Sequence, residues 1–128
     1  NLYGTNRPWV EEQIEKDNNV LLELDWQGAV QVKLVYPTAV TVFVLPPSYK
    51  DLRLRLNERG QDKKEIIESR LAHAKKEIER GRKFDFLIVN DIFEKALDDL
   101  KTIILKNNKL PDITKTLAQD HLKRLLEE

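Results

Sequence analysis

The sequence predicts an α/β fold, a parallel sheet flanked by helices, on three observations. Three short apolar, β-branched runs, Val20–Asp25, Ala39–Leu45 and Phe84–Val89, have the composition of strands covered on both faces. Between them lie stretches whose apolar residues recur at helical spacing. Prolines, glycines and capping residues punctuate the boundaries, and strands alternating with helices in this way mean parallel pairing through crossovers.

Taken in order, Thr5 or Asn6 can cap a first helix running to about Asp17, with Pro8 tolerated in its first turn and Val10 and Ile14 forming a stripe. The first strand, Val20–Asp25, ends in two acids one residue apart, Glu23 and Asp25. On a strand both would point to the same side. Ligands of open α/β sheets bind beyond the carboxyl ends of the strands, so this pair is either a place for chemistry or a solvated strand end. A helix from about Gln27 to Tyr36 follows, with Val30 and Leu34 as its apolar face, and Pro37 ends it. After the second strand, Pro46 and Pro47 intervene, and Ser48 with Asp51 forms an acidic capping box for a helix to about Glu58. Asp62 with Glu65 repeats the device for a longer helix to about Arg80, stopped by Gly81. Past the third strand, Asp91 and Glu94 open a helix to about Lys106. Pro111-Asp112 starts a last one, with Ile113, Leu117, Leu122, Leu125 and Leu126 roughly along one side.

A length of 128 residues fits one domain with a real core. With 22 basic and 22 acidic residues the net charge is zero, so no global field argues for a nucleic-acid or membrane partner. The absence of cysteine excludes disulfides and thiolate metal sites and fits a reducing, cytoplasmic compartment. No apolar run approaches the roughly 18 residues of a membrane span. His73 and His121 have no metal-ligating partner at useful spacing, and both read as structural, so no metal site is expected. The chain opens on NLYGTNR without Met, and a piece of something longer is expected.

The residues that could carry chemistry are chiefly arginines. Arg55 and Arg59 lie four apart on one helix face, Arg53 lies off that face, and Arg70 is on the next helix, with a glycine-containing RGQD hinge between. Guanidinium forks suit phosphate oxygens, so the two helices could close over a polyphosphate as a lid. The same residues also suit a solvated face paired with Glu58, Asp62, Glu65 and Glu68. Tyr3 and Thr5 around Gly4 suit a phosphate or base contact, or a turn with a capping threonine. Asn90, after the third strand, can read a purine edge through its amide or simply belong to a strand-to-helix turn.

Read together, these pieces resemble guanylate kinase. The matching residues are YGT at Tyr3–Thr5, LELDWQGA at Leu22–Ala29, LPPS at Leu45–Ser48, RLNERGQD at Arg55–Asp62, SRLAHAKKEI from Ser69 and FDFLIVND at Phe84–Asp91. They run in order from Tyr3 to about Lys106. The resemblance implies a P-loop-NTPase-like sheet with a helical lid over about 50–82, a core segment of 1–110 and a helical extension of 111–128. It implies transfer of the ATP γ-phosphoryl group to GMP, with Mg²⁺ accompanying ATP. By the same resemblance Tyr3, Thr5, Asp25 and Glu23 contact GMP, although the family usually has Asp where Glu23 stands. Arg55, Arg59 and Arg70 bind ATP phosphates and stabilise the moving phosphoryl group, and Asn90 lies near the adenine.

The sequence also departs from the family. The phosphate loop G-x-x-x-x-G-K-[ST], which lies upstream of YGT in the family, does not occur in these 128 residues. The expected sheet is therefore incomplete, and little activity is expected of the chain alone. Two alternatives stand beside the enzyme reading: a guanylate-kinase-like protein-binding module, and an inactive piece that self-associates through an exposed sheet edge. Three lid arginines together favour the enzyme, because a binding module has no need of them.

Overall fold

A computed structural model describes residues 7–58, 63–105 and 110–127. Its elements are α1 (Arg7–Glu15), α2 (Trp26–Val35), β1 (Val42–Leu45), α3 (Tyr49–Glu58), α4 (Lys64–Gly81), β2 (Phe86–Val89), α5 (Phe93–Leu105) and α6 (Asp112–Glu127). They divide into two compact units, the first reaching to Thr41 and the second running from Val42.

In the first unit, α1 stops two residues before Asp17, which takes the left-handed conformation at φ 61°. Asn18 N–H donates to the Gln13 carbonyl at 3.0 Å and Asp17 N–H to that of Ile14 at 3.0 Å. This pair of bonds is the Schellman pattern that satisfies the last carbonyls of a helix. Tyr36 O–H donates to Glu11 at 3.2 Å, and Arg7 Nε donates to the same Glu11 oxygen at 3.0 Å, which ties α1 to the end of α2.

The expected strand Val20–Asp25 does not form; those residues carry no regular structure, and Leu21 is 71% exposed. An extended run becomes a strand only through a ladder partner, and the one ladder among the described residues joins β1 to β2. The faces expected of the flanking helices also fail in part. Val10 is buried at 4%, whereas Ile14, Val30 and Leu34 are exposed.

In the second unit β1 and β2 pair in parallel, in the register Val42↔Phe86 to Leu45↔Val89. Side chains alternate across a strand, so Phe43, Leu45, Leu87 and Val89 share one face and Val42, Phe86 and Ile88 the other. The first face packs with Ile78 of α4 and Leu122 and Leu125 of α6. The second packs with Ile103 and Leu100 of α5 and with Leu110. The small parallel sheet is thus covered by helices on both sides, as an α/β fold requires.

Gly81 is the last residue of α4, and close packing accounts for the absence of a side chain there. A Cβ at this position would lie 2.8 Å from Phe43 Cγ. The Phe43 ring has little room to yield, because it meets Phe84 edge-on at 5.3 Å. Gly81→Ala is therefore expected to destabilise the chain by about 1–3 kcal/mol through overpacking. Urea unfolding checks this, and a stabilised variant would show that the Phe43–Phe84 pair gives way freely.

Candidate functional site

Parallel pairing puts the C-terminal ends of β1 and β2 on the same side of the sheet, and the segments leaving them carry most of the described candidates. Beyond β2 comes Asn90, half-buried, whose N–H donates to the Leu45 carbonyl at 2.9 Å and extends the ladder by one bond. Beyond β1, Pro46 and Pro47 lead into α3. Its start is capped by Ser48, whose Oγ accepts from the Asp51 N–H at 3.0 Å, half of the expected capping box. The second expected cap lies differently: Asp62 is outside the described residues, and the N-cap of α4 is Lys63, with no side-chain cap bond.

Helices α3 and α4 present the arginines. Arg55 is half exposed and lies 2.9 Å from Asp51 Oδ2, one helical turn back. That oxygen is buried without a hydrogen-bond partner, so the contact is a charge pairing by distance in which no guanidinium N–H is aligned on the oxygen. Arg53 donates to Glu68 of α4 and fastens the two helices together. The hydrogen bond from Arg53 holds the Glu68 carboxyl below its ordinary pKa. Nearer the base, Lys75 of α4 sits over the Tyr49 ring at 4.7 Å, a cation–π contact. Arg70 is exposed on α4 and has a partner of its own. Arg59, between the two helices, lies outside the described residues, as do Tyr3 and Thr5.

Of the two acids expected at a strand end, both are exposed and neither sits on a strand. Asp25 is the N-cap of α2, its Oδ1 accepting from the Gly28 N–H at 2.8 Å. The capping role and a ligand role are compatible for a carboxylate with two oxygens, and Asp25 makes a further interaction as well. Among the described residues no group of three or more His, Cys, Asp or Glu could hold a metal ion. No described helix is long and apolar enough to cross a membrane.

The sequence specifies neither of the two arginine pairings in full. Asp51–Arg55 carried a signal, the i, i+4 spacing of opposite charges. Arg53–Glu68 carried none beyond Glu68 being among the expected partners of the charged face, because it depends on how two helices meet.

Comparison with known proteins adds four findings. The guanylate kinase family model matches residues 1–118. A guanylate kinase of Polaromonas sp. (strain JS666) is 49% identical over 102 residues, covering 80% of this chain and 50% of that protein. One of Photobacterium profundum is 44% identical over 128 residues, covering 100% of this chain and 62% of that protein. The crystal structure of guanylate kinase from Anaplasma phagocytophilum superposes with a TM-score of 0.66 at 26% identity, over 92% of this chain and 56% of that one. The chain spans between about half and 62% of the length of these curated relatives.

Proposed function

The chain belongs to the guanylate kinase family, and from that premise we propose that it is the lid-bearing portion of a nucleoside monophosphate kinase. The whole protein moves the ATP γ-phosphoryl group to GMP, giving ADP and GDP. The oxygen of the GMP phosphate forms the new P–O bond while the bond from the γ-phosphorus to the β,γ-bridging oxygen breaks, leaving ADP. The observation that carries this reading is the fastened helix pair at the C-terminal side of the sheet, with Arg55 and Arg70 exposed on its two members.

In this reading Arg55, Arg59 and Arg70 engage phosphate oxygens and offset the charge that shifts during transfer. Asp25, with Tyr3, Thr5 and Glu23, receives GMP, and Asn90 lies by the adenine. Asp51 keeps Arg55 on the helix face until phosphate competes for it. Mg²⁺ comes with ATP and supplies further neutralisation of the phosphates. The division into a core of 1–110, a lid over about 50–82 and an extension of 111–128 belongs to the same proposal, as does a cytoplasmic setting, where both nucleotides are found.

The test is ADP release from ATP, GMP and Mg²⁺ in a coupled assay, run on the whole protein and on the 128-residue chain. The whole protein is expected to turn over within the usual range of roughly 1–1,000 per second, and the chain alone negligibly. The reason is that no G-x-x-x-x-G-K-[ST] run is present to cradle the phosphates. A whole protein that leaves GMP untouched would remove the kinase reading. A chain that turns over at the enzyme's rate would remove the requirement for the loop. One observation favours a second reading, self-association: β1 and β2 are each paired on one side only among the described residues. Sedimentation of the chain decides it, and a single monomeric species excludes it.

A further inference from the structure

Helix α6 has no part in the site as described, and its second half lies beyond the residues matched by the family model. Its place in the fold is nevertheless specific. Leu122 and Leu125 are buried at 5% and 1% in one cluster with Leu45 and Ile78. Leu45 is the last residue of β1, so α6 is wedged where the chain leaves the sheet for α3. The two residues that follow are prolines, which offer carbonyl acceptors and no N–H donors. That passage supplies acceptors without donors of its own, and one of them is met from α6. His121, half-buried and next to Leu122, meets the Pro46 carbonyl through Nε2 at 2.8 Å. A carbonyl only accepts, so the bond identifies Nε2 as the protonated nitrogen of the ring.

Resting on the lid reading above, we propose that His121 is a positioning residue for the lid: it holds the pivot at Pro46 and so sets where α3 carries Arg55. Three contacts make the pivot a single mechanical unit. Ser48 caps α3 directly after the prolines. Tyr49 packs against the Leu45 cluster and lies under Lys75 of α4. Arg53 fastens α3 to Glu68 of α4. These contacts join the start of α3 to α4, and the bond from α6 ties that start to the sheet. Loss of that bond leaves the buried leucines in place but frees the start of α3.

The test compares His121→Leu, which keeps a bulky side chain without a donor, with His121→Gln, which keeps an N–H near the same place. Backbone hydrogen exchange is read over α3, with β1 and β2 as internal references. In the Leu variant the α3 amides are expected to exchange about five- to tenfold faster, the scale of one lost hydrogen bond. In the Gln variant they should keep the parent rate, and the strands should be unchanged in both. Equal behaviour of the two variants, or an unchanged Leu variant, would overturn the proposal. Acceleration spread over the strands would mean a packing role and would overturn it too. Repeating the exchange on the whole protein with MgATP separates the two readings. Protection of α3 by ATP in the parent and Gln proteins, diminished in the Leu variant, supports both. A whole protein whose α3 shows no response to ATP sinks the lid reading, while the pivot stands or falls on the nucleotide-free comparison.

Discussion

Leu45→Ala is expected to cost roughly 3–5 kcal/mol of folding stability, toward the upper end for a leucine truncated in a core. Leu45 is wholly inaccessible and sits among Ile78, Leu122 and Leu125, which come from two different helices. Those helices are held apart by their other contacts, so the space left by the lost methyls cannot easily close, and the cavity adds to the lost transfer free energy. Against a total of about 5–15 kcal/mol for a typical domain, the variant should be close to unfolding. Val44, its neighbour on the same strand, points to the other face and is 53% exposed. Val44→Ala should therefore cost less than about 1 kcal/mol. Urea titrations of the two variants, with unchanged m-values, make the comparison. Similar losses for both would mean that the alternation along β1 is not what organises the core.

That alternation was legible before the structure. The β-branched composition of the second and third runs, and the helical lengths between them, led directly to two parallel strands and their crossover. Ser48 and Asp51 marked the start of α3 because capping is a local interaction between residues three apart. The failures share a cause: they needed knowledge of what lies opposite. Val20–Asp25 has the composition of a buried strand, but composition supplies no ladder partner. On α6, the expected stripe holds at Leu122 and Leu125, which are buried, but not at Ile113 and Leu117, which are 65% and 56% exposed while Ala118 is buried at 4%. Alanine adds little to a hydropathy pattern, yet the spacing Ala118, Leu122, Leu125 is the one that faces the sheet.

The candidate site divides along the same line. The residue types and their order were readable, because arginines at helical spacing on consecutive helices depend only on local geometry. Their partners were less so. Asp51–Arg55 lies within one helix and follows from spacing, whereas Arg53–Glu68 and His121–Pro46 join residues 15 and 75 positions apart. No periodicity encodes such contacts. They arise from the angle at which α3 leaves the sheet and from the depth at which α6 is seated, and both are set by packing.

In the whole protein, Arg59→Ala and Arg70→Ala are each expected to lower kcat far more than they raise KM for GMP. On the proposed reading their targets are phosphate oxygens whose charge redistributes only as the phosphoryl group moves, so the guanidinium groups would act mainly in the transition state. By analogy with arginines that serve other phosphoryl transfers, the loss should be on the order of 10³-fold or more. Asp25→Asn should divide its effect differently. A carboxylate accepting from the N1 and N2 hydrogens of guanine makes its contact before transfer begins, so the substitution should raise KM for GMP. It should also weaken discrimination against AMP, because a polar site left unpaired penalises the wrong base. Because Asp25 also caps α2 through Gly28, asparagine is the informative replacement: its side-chain oxygen keeps the cap. Steady-state kinetics on the three variants separate the roles. If the arginine variants keep kcat while Asp25→Asn loses it at unchanged KM, the lid and the base pocket have been assigned the wrong way round.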